Sequence, residues 1–272
     1  MIDPALVTAL IRETAEAVIL PRFRALAPGE IREKKPGDFV TVADTEAEAM
    51  LSRRLVQALP GSTVCGEEGV AGDRGVLAVL DGAAPVWVID PVDGTCNFAH
   101  GRTGFAVIVA LVEAGIVRAG WIHEPLTGVT VHAVRGGGAW HEGRRLTVDR
   151  SRPLSAQSGS AYGRLDGRGE ACRLLTAAGA VAGVRNTGCG GIDYILMARG
   201  ETQFKYSSAS LPWDHAAGIL IMDEAGAVAR FADGAAYNVH RHASPLLIAP
   251  DPASWQALQH LLTGATITPE NC

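Results

Sequence analysis

Residues 87–98 read WVIDPVDGTCNF, and this stretch decides how the chain presents its acids. The apolar residues before Asp90 predict a strand that ends at that acid, and Asp93 follows across a turn with Pro91 and Gly94. Acids at the end of a strand project into a cleft rather than into a core. Two carboxylates that lie close together repel each other unless a cation separates them, and sites built only from oxygen suit a hard ion such as Mg²⁺.

The same turn continues into Gly94 and Thr95. Backbone N–H groups in such a turn can point outward beside the ion, where they would hold a phosphate. A cation site and an anion cradle within one short segment therefore predict chemistry on a phosphate ester.

The composition limits the classes of protein that this chain can be. It has 272 residues, of which 47% are apolar and 19% charged, so we expect a substantial core in one large domain or two lobes. The net charge is -5, and there is no block of basic residues beyond pairs such as Arg144-Arg145. A nucleic-acid binder needs a basic face, so this class is disfavoured. A small anionic substrate stays compatible, because bound cations would reverse the local field.

We expect a cytoplasmic protein without a membrane segment. The N-terminal MIDPALVTAL lacks the basic start of a signal peptide, and the longest apolar run, 105–112, is too short to span a bilayer. The cysteines are odd in number and none has C-x-x-C spacing, which favours free thiols in a reducing compartment. They are Cys65, Cys96, Cys172, Cys189 and Cys272.

The periodicity of apolar residues predicts an α+β protein. We expect residues 1–272 to form a single domain, with a sheet-rich lobe over about 1–150 and a lobe of alternating strands and helices over about 151–272. The predicted helices cover Pro4 to about Leu26, a segment capped by Asp44, about 168–178, Gly190–Arg199 and Asp214–Ala225. The predicted strands cover 62–65, 86–90, 105–113, 116–123, 129–135, 157–162, 182–186 and 204–206. Residues 27–38 are predicted to form a loop or hairpin.

Each of the other notable acids also has a purely structural explanation. Asp44 and Asp214 would make good helix N-caps, and Glu67 with Glu68 would be an ordinary solvated pair. The small residues 216–218 would allow close helix packing. Taken singly, only the segment 90–95 favours a function.

Three motifs taken together are more specific. GEE at 66–68, DPVDGT at 90–95 and WDHAAG at 213–218 occur in this order, and the chain from about Asp38 to about Gly226 resembles the inositol monophosphatase family. That family includes inositol-phosphate phosphatases, histidinol-phosphate phosphatases, bisphosphate nucleotidases and some fructose-1,6-bisphosphatases. The resemblance implies a layered αβαβα sandwich, hydrolysis of a small phosphate monoester with two or three Mg²⁺ ions, sensitivity to lithium, and a homodimer.

The resemblance also implies roles for individual residues. Asp90 would bridge two ions, and Asp44 would hydrogen-bond Thr95, which with Glu67 would orient and deprotonate the attacking water. The implied metal ligands are Glu67, Asp90, the carbonyl of Val92, Asp93 and Asp214. The implied substrate-binding residues are Asp93, Gly94, Thr95, Gly188, Cys189, Gly190, Ser207 and Asp214.

The substrate itself is less defined. Ser207 stands where inositol-specific members often carry a glutamate, and Gly188-Cys189-Gly190-Gly191 replaces a Gly-Thr/Ser-Ala-Ala segment. Lys205 is interpreted as a surface lysine rather than an anion anchor, and Lys34 or Lys35 aligns only loosely with a lysine of the family. Two other functions stay open: a partner-binding regulatory protein, against which the complete set of acids argues, and a nuclease, against which the acidic charge argues.

Overall fold

The structure, a computed structural model, describes residues 2–162, 170–176 and 179–263. Cys272 and the ends of the helix predicted at 168–178 lie outside the described residues. Two short strands, β1 (Ile31–Lys35) and β2 (Asp38–Thr41), pair as an antiparallel hairpin. This agrees with the loop or hairpin predicted over residues 27–38. The helices are α1 (Pro4–Thr14), α2 (Val42–Ala58), α3 (Glu67–Gly72), α4 (Thr95–Ala99), α5 (Glu170–Thr176), α6 (Gly190–Ala198), α7 (Pro212–Glu224) and α8 (Pro252–Thr263).

The larger sheet contains seven strands that follow one another in chain order. Its first two strands are parallel and every later neighbour is antiparallel. The strands are β3 (Thr63–Gly66), β4 (Val86–Asp93), β5 (Ala106–Glu113), β6 (Ile116–His123), β7 (Thr130–Val134), β8 (Gly138–His141) and β9 (Arg144–Leu146).

Both faces of this sheet are covered, which explains why β4 and β5 are continuous apolar runs. Trp87 and Ile89 of β4 pack in one cluster with α1 and α2. Val86 and Val88 point the other way, into a second cluster with α6 and α7. The alternation follows from the two-residue period of a strand.

A smaller sheet lies beyond α6 and α7. Its strand order is β11-β10-β12-β14-β13, with β10 parallel to both neighbours and β14 antiparallel to both of its own. Leu246 and Ile248 face α6 and α7, whereas Leu247 and Ala249 pack with α5 and α8. The strands are β10 (Ser158–Tyr162), β11 (Gly183–Arg185), β12 (Phe204–Ser207), β13 (Val228–Phe231) and β14 (Leu246–Ala249).

The layers are therefore helix, sheet, helix, sheet and helix. This confirms the predicted α+β class and its αβαβα arrangement. The division of one domain into lobes near residue 150 stays a prediction. In the described part of the chain, no helix combines the length and the apolar character needed to cross a membrane.

Several predicted boundaries are wrong. The first helix continues from α1 through a π turn and a 3₁₀ turn and ends at Arg22 rather than Leu26, because Pro21 lacks a backbone donor. Thr41, not Asp44, caps α2, since Asp44 is the third helical residue of a capping box. Leu211 precedes α7, so Asp214 lies inside its first turn behind Pro212.

Strand β4 also runs further than predicted. It continues past Asp90 to Asp93, and its register with β5 shifts between these two acids. Four short strands and three helices were not predicted from the sequence: β8, β9, β13, β14, α3, α4 and α8.

One close approach locks the central helix onto the large sheet. A Cβ placed on Gly120 of β6 would lie 2.6 Å from the Cα of Ala217 in α7. The small residues Ala216, Ala217 and Gly218 therefore serve close packing, as the structural explanation of that motif proposed.

We predict that Gly120→Ala lowers the free energy of unfolding by about 1–3 kcal/mol, because the added methyl forces two backbones apart. Chemical denaturation measures this change. Gly72→Ala is the matched control, since a Cβ there meets no atom within 4 Å. Equal stability of the two variants would contradict the close packing.

Candidate active site

The shift of register in β4 shapes the centre of the site. Asp90 is 2% exposed, and its Oδ1 accepts a hydrogen bond from the Val92 N–H at 3.1 Å. A β-bulge bends a strand and redirects its side chains, so two acids three positions apart can serve one site. The stretch that the sequence singled out thus forms the floor of the site as a bulged strand rather than as a turn.

Beside this bulge, Thr95 joins α4 to α2. Its Oγ1 lies 2.9 Å from the Val92 carbonyl oxygen and 3.1 Å from Asp44 Oδ1. Asp44 Oδ2 accepts the Thr41 N–H at 2.8 Å. Burial raises the pKa of Asp44 to about 7, and the hydrogen bonds from Thr41 oppose that rise. The predicted pairing of Asp44 with Thr95 is present in the structure.

Gly94 makes the turn into α4 possible. Its φ is +85°, and a Cβ there would lie 2.8 Å from the Gly104 carbonyl oxygen. Only glycine combines this left-handed backbone with so close an approach. The turn leaves the Thr95 N–H in the first turn of α4, among the donors that a helix does not satisfy itself.

Asp93 is held by the start of α6. Its Oδ2 accepts hydrogen bonds from the Gly191 N–H and, at 3.0 Å, from the Cys189 thiol. Burial raises the pKa of Asp93, and these two hydrogen bonds oppose the rise. Cys189, proposed for the substrate pocket, is buried and contacts this acid, whereas Gly190 is half-buried and Gly188 is exposed.

Glu67 and Glu68 begin α3 rather than lying in a solvated loop. Lys34 of the hairpin places its Nζ 2.9 Å from Glu67 Oε1 and 3.0 Å from Glu68 Oε1. Glu48 of α2, which the sequence analysis missed, accepts the N–H groups of Glu68 and Gly69, both at 2.9 Å. A buried carboxylate at the start of a helix satisfies two backbone donors and fixes the helix there.

Four acids from three elements shift one another's pKa values through electrostatic repulsion. Burial first, and then the charges of Glu67, Asp93 and Asp214, raise the pKa of Asp90 well above its usual range. Burial followed by the charges of Asp93 and Glu67 does the same for Asp214. Within the residues that the structure describes, no three His, Cys, Asp or Glu side chains converge tightly enough to hold one ion as they stand.

The donor set nevertheless fits a hard divalent cation. The four acids offer only oxygen, Asp90 is buried and the other three are half-buried, and their mutual repulsion is the energy that a cation would relieve. Lys34 approaches only one of the four within 4.0 Å, which leaves an excess of negative charge. The other three would gain most from a bound ion.

A cleft of about 590 Å³ opens beside Glu67 and Asp214. Basic, acidic and apolar side chains share its walls, so it suits an anionic ligand with an organic part when a cation offsets the acids. Its lining comprises Lys34, Lys35, Asp38, Glu67, Val70, Ala71, Arg74, Leu77, Leu211, Trp213, Asp214 and His242.

Two residues near the predicted pocket differ from expectation. Lys205 is not a surface lysine: it is 2% exposed, and its Nζ lies 2.9 Å from Asp193 Oδ2. Ser207 is 8% exposed and donates its hydroxyl to the Ala209 carbonyl at 2.9 Å. The alternating polar and apolar residues of 204–207 predicted a strand but gave no sign that both of its faces are covered.

Comparison with known proteins settles the family. The sequence profile of the inositol monophosphatase family matches residues 4–264. The chain belongs to this family. An inositol-1-monophosphatase of Rhizobium meliloti is 36% identical over 210 residues, which are 75% of this chain and 76% of the relative. A fructose-1,6-bisphosphatase/inositol-1-monophosphatase of Thermotoga maritima is 33% identical over 198 residues, 71% of this chain and 72% of the relative.

Solved structures agree with the described fold. The extragenic suppressor protein suhB from Bartonella henselae superposes with a TM-score of 0.82 at 27% identity, over 95% of this chain and 98% of that one. Membership of the inositol monophosphatase family makes the chain a phosphoric monoester hydrolase, and the family depends on a metal, generally Mg²⁺. The predicted resemblance and enzyme class are confirmed.

We predict that the metal-free protein loses stability as pH rises from 6.5 to 8, and that Mg²⁺ reverses this loss. Acids whose folded pKa is raised, such as Asp44 from 3.8 to about 7, stabilise the fold at low pH and cease to do so as they ionise. Buried histidines oppose this loss only near pH 6.5, since the pKa of His123 is lowered from 6.5 to about 4 and its unfolded form still binds protons there, whereas above about pH 7.5 it is neutral in both states.

Thermal unfolding with EDTA and with Mg²⁺ measures both effects. Saturation a hundredfold above the dissociation constant is worth about 2.7 kcal/mol. Asp90→Asn should weaken the pH dependence and the response to Mg²⁺, whereas Asp81→Asn, an exposed acid, should change neither. Equal responses to Mg²⁺ at pH 6.5 and pH 8 would contradict the prediction.

Proposed function

We propose that this member of the inositol monophosphatase family hydrolyses a small-molecule phosphate monoester with Mg²⁺, by in-line attack of water on phosphorus. The observation that supports the proposal best is the set of buried and half-buried, mutually repelling acids beside the Gly94–Thr95 turn. The residues that would hold the ions are Glu67, Asp90, the Val92 carbonyl, Asp93 and Asp214. When bound, Mg²⁺ lowers the pKa of water and stabilises developing negative charge.

The protein's own side chains would orient the attacking water and accept hydrogen bonds from its protons. The Thr95 hydroxyl has one proton and two acceptors in reach, Asp44 Oδ1 and the Val92 carbonyl. Because the hydroxyl proton is donated to one of these two acceptors, the Thr95 oxygen keeps a lone pair that can accept a hydrogen bond from water. Glu67 would accept the second proton of the same water, and an ionised Asp44 would fix the Thr95 rotamer.

The backbone N–H groups of Gly94 and Thr95 would bind the phosphate oxygens. They are fixed in place before the substrate arrives, because the left-handed turn at Gly94 and the hydrogen bonds of Thr95 hold them. Rigid donors cost no reorganisation as charge develops on the phosphate. Asp93 and Asp214 would lie between the ions and the organic part of the substrate, with Gly188, Cys189, Gly190 and Ser207 on its far side.

We propose that Asp90→Asn abolishes turnover, because the loss of one charge would remove a carboxylate that would hold the Mg²⁺ ions. The expected loss corresponds to several kcal/mol of transition-state stabilisation, hence at least a thousandfold in rate. Phosphate release is measured over a panel of inositol phosphates, histidinol phosphate, sugar bisphosphates and 3′-phosphoadenosine phosphate, with and without Mg²⁺. Asp81→Asn is the control.

Two results would contradict this proposal. One is an Asp90→Asn rate within about tenfold of wild type at saturating Mg²⁺. The other is a folded wild type that releases no phosphate from any member of the panel, which would favour the alternative of a partner-binding regulatory protein.

From the pocket around Ser207 we expect the enzyme to be only weakly selective for inositol 1-phosphate. Ser207 directs its hydroxyl to the backbone, so no carboxylate grips a polyol hydroxyl at this position. A hydrogen bond to a charged acceptor is worth about 1.5–3 kcal/mol, or about ten- to a hundredfold in discrimination. Histidinol phosphate, a nucleotide bisphosphate and fructose 1,6-bisphosphate therefore remain candidate substrates.

We predict that Ser207→Glu raises the preference for inositol 1-phosphate by about tenfold or more, measured as kcat/KM across the same panel. Ser207→Ala is the matched control, since it removes the hydroxyl without adding a charge. A wild type that already favours inositol 1-phosphate by more than a hundredfold over the other monoesters would sink this pocket argument.

Three further properties are carried over as proposals. Inhibition by lithium follows from an all-oxygen site able to hold a small hard cation. The homodimer and the cytoplasmic location rest on the family resemblance and on the composition. None of the three bears on the roles of the acids.

A further inference from the structure

The segment 187–191 is anchored on two sides. From α4, the Asn97 side chain donates to the Thr187 carbonyl at 2.9 Å and to the Gly104 carbonyl at 2.8 Å. From α6, Asp193 Oδ1 lies 2.9 Å from the Thr187 hydroxyl. That hydroxyl also lies 2.8 Å from the Cys189 carbonyl. The backbone that carries the donors to Asp93 is thus fixed at its start.

Asp193 is itself held by a buried ion pair. Its other oxygen, Oδ2, lies 2.9 Å from Lys205 Nζ, and both side chains are 2% exposed or less. The ammonium also stands 5.2 Å from the centre of the Tyr194 ring, within cation–π range. The pair therefore joins β12 of the small sheet to the first turn of α6.

These contacts form one chain that ends on a candidate metal ligand. Lys205 orients Asp193, Asp193 orients Thr187, and Thr187 fixes the turn whose Cys189 thiol and Gly191 N–H hold Oδ2 of Asp93. With Oδ2 committed to these donors, Oδ1 would be the oxygen that binds a cation. Partners that orient a metal-binding carboxylate commonly alter metal affinity when they are removed, by about 10–100-fold.

We propose that the buried Asp193–Lys205 ion pair, acting through Thr187, is a positioning device that sets the orientation of Asp93 and thereby the affinity for Mg²⁺. The inference rests on the proposed function, because it concerns Asp93 as a ligand. The fold alone gives little reason for the pair: a buried ion pair is often no more stabilising than apolar side chains of the same volume. Its geometry, with each Asp193 oxygen given to a different partner, suits orientation.

The test measures Mg²⁺ binding without substrate, by calorimetry and by the Mg²⁺ concentration that gives half of the thermal stabilisation. Thr187→Val removes the hydroxyl and leaves the ion pair in place, and it should weaken Mg²⁺ binding by at least tenfold. Thr187→Ser restores the hydroxyl and should bind within about threefold of wild type. In turnover assays, saturating Mg²⁺ should recover most of kcat in Thr187→Val.

Two double variants test the pair itself and guard against loss of folding. Lys205→Met with Asp193→Leu removes both charges and the acceptor for Thr187, and should weaken Mg²⁺ binding. Lys205→Met with Asp193→Asn removes both charges but keeps that acceptor, and should bind Mg²⁺ more tightly than the first. The control is Arg54→Met with Glu13→Gln, an exposed pair at 2.8 Å remote from Asp93, which should leave binding unchanged.

The outcomes separate the two proposals. Folded Thr187→Val that binds Mg²⁺ within about twofold of wild type overturns the positioning role, even if the enzyme is a Mg²⁺-dependent phosphatase. Equal binding by the two double variants overturns it as well. A wild type without Mg²⁺ binding or phosphatase activity overturns the proposed function itself, and this inference with it.

Discussion

The acids that lie together at the bulged end of β4 repel one another, and the surrounding structure must hold them in place against this repulsion. Burial alone disfavours a charged carboxylate, and neighbouring carboxylates raise the penalty further, so the fold must hold them there against a free-energy cost. It does so with hydrogen bonds to single oxygens: Asp90 takes a backbone N–H, Asp93 takes an N–H and a thiol, and Asp44 takes the N–H of Thr41. For Asp90 and Asp93 these bonds orient one carboxylate oxygen, whereas the second oxygen of Asp44 accepts the Thr95 hydroxyl. A cation that binds there relieves this repulsion, so the free-energy cost that the fold carries without the cation contributes to its binding.

The layered architecture is what brings these acids together. Glu67 follows β3, Asp90 and Asp93 belong to its parallel neighbour β4, and Asp214 arrives more than a hundred residues later on α7. Helix α7 lies against the large sheet so closely that Gly120 leaves no room for a Cβ beside Ala217. Small residues at this contact therefore contribute to the site at a distance, since a wider spacing would carry Asp214 away from the bulge. In this way one motif, WDHAAG, supplies both a charged group and the packing that places it.

Much of this could be predicted from the sequence, because the acids occur in short motifs beside strand ends and glycines. The acids at the end of β4 followed from those motifs, whereas the five layers and the pairing of Asp44 with Thr95 were implied by the family resemblance that the motifs carry. The partners of the acids could not be predicted. Glu48 and Asp193 lie inside helices, where an acid usually faces solvent, and their burial depends on which helix face the second layer covers. Lys205 was misjudged for the same reason: strand β12 is central in the small sheet, and a strand covered on both faces buries all of its residues regardless of their charge.

The placement of the two buried or half-buried lysines shows how the fold distributes charge. Lys205 lies close enough to oppose the raised pKa of Asp93 and of Asp214, yet its ammonium makes its contact at 2.9 Å with Asp193. Lys34 is the one that reaches a candidate ligand directly, and it does so from the β1–β2 hairpin rather than from the packed layers. Had Lys205 paired with Asp93 instead, a permanent positive charge would neutralise the acid and compete with a metal ion. Because Asp193 binds the ammonium at contact distance, the Lys205 charge acts on Asp93 and Asp214 from further away, and these acids would still favour a divalent cation, which could in turn bind an anionic phosphate.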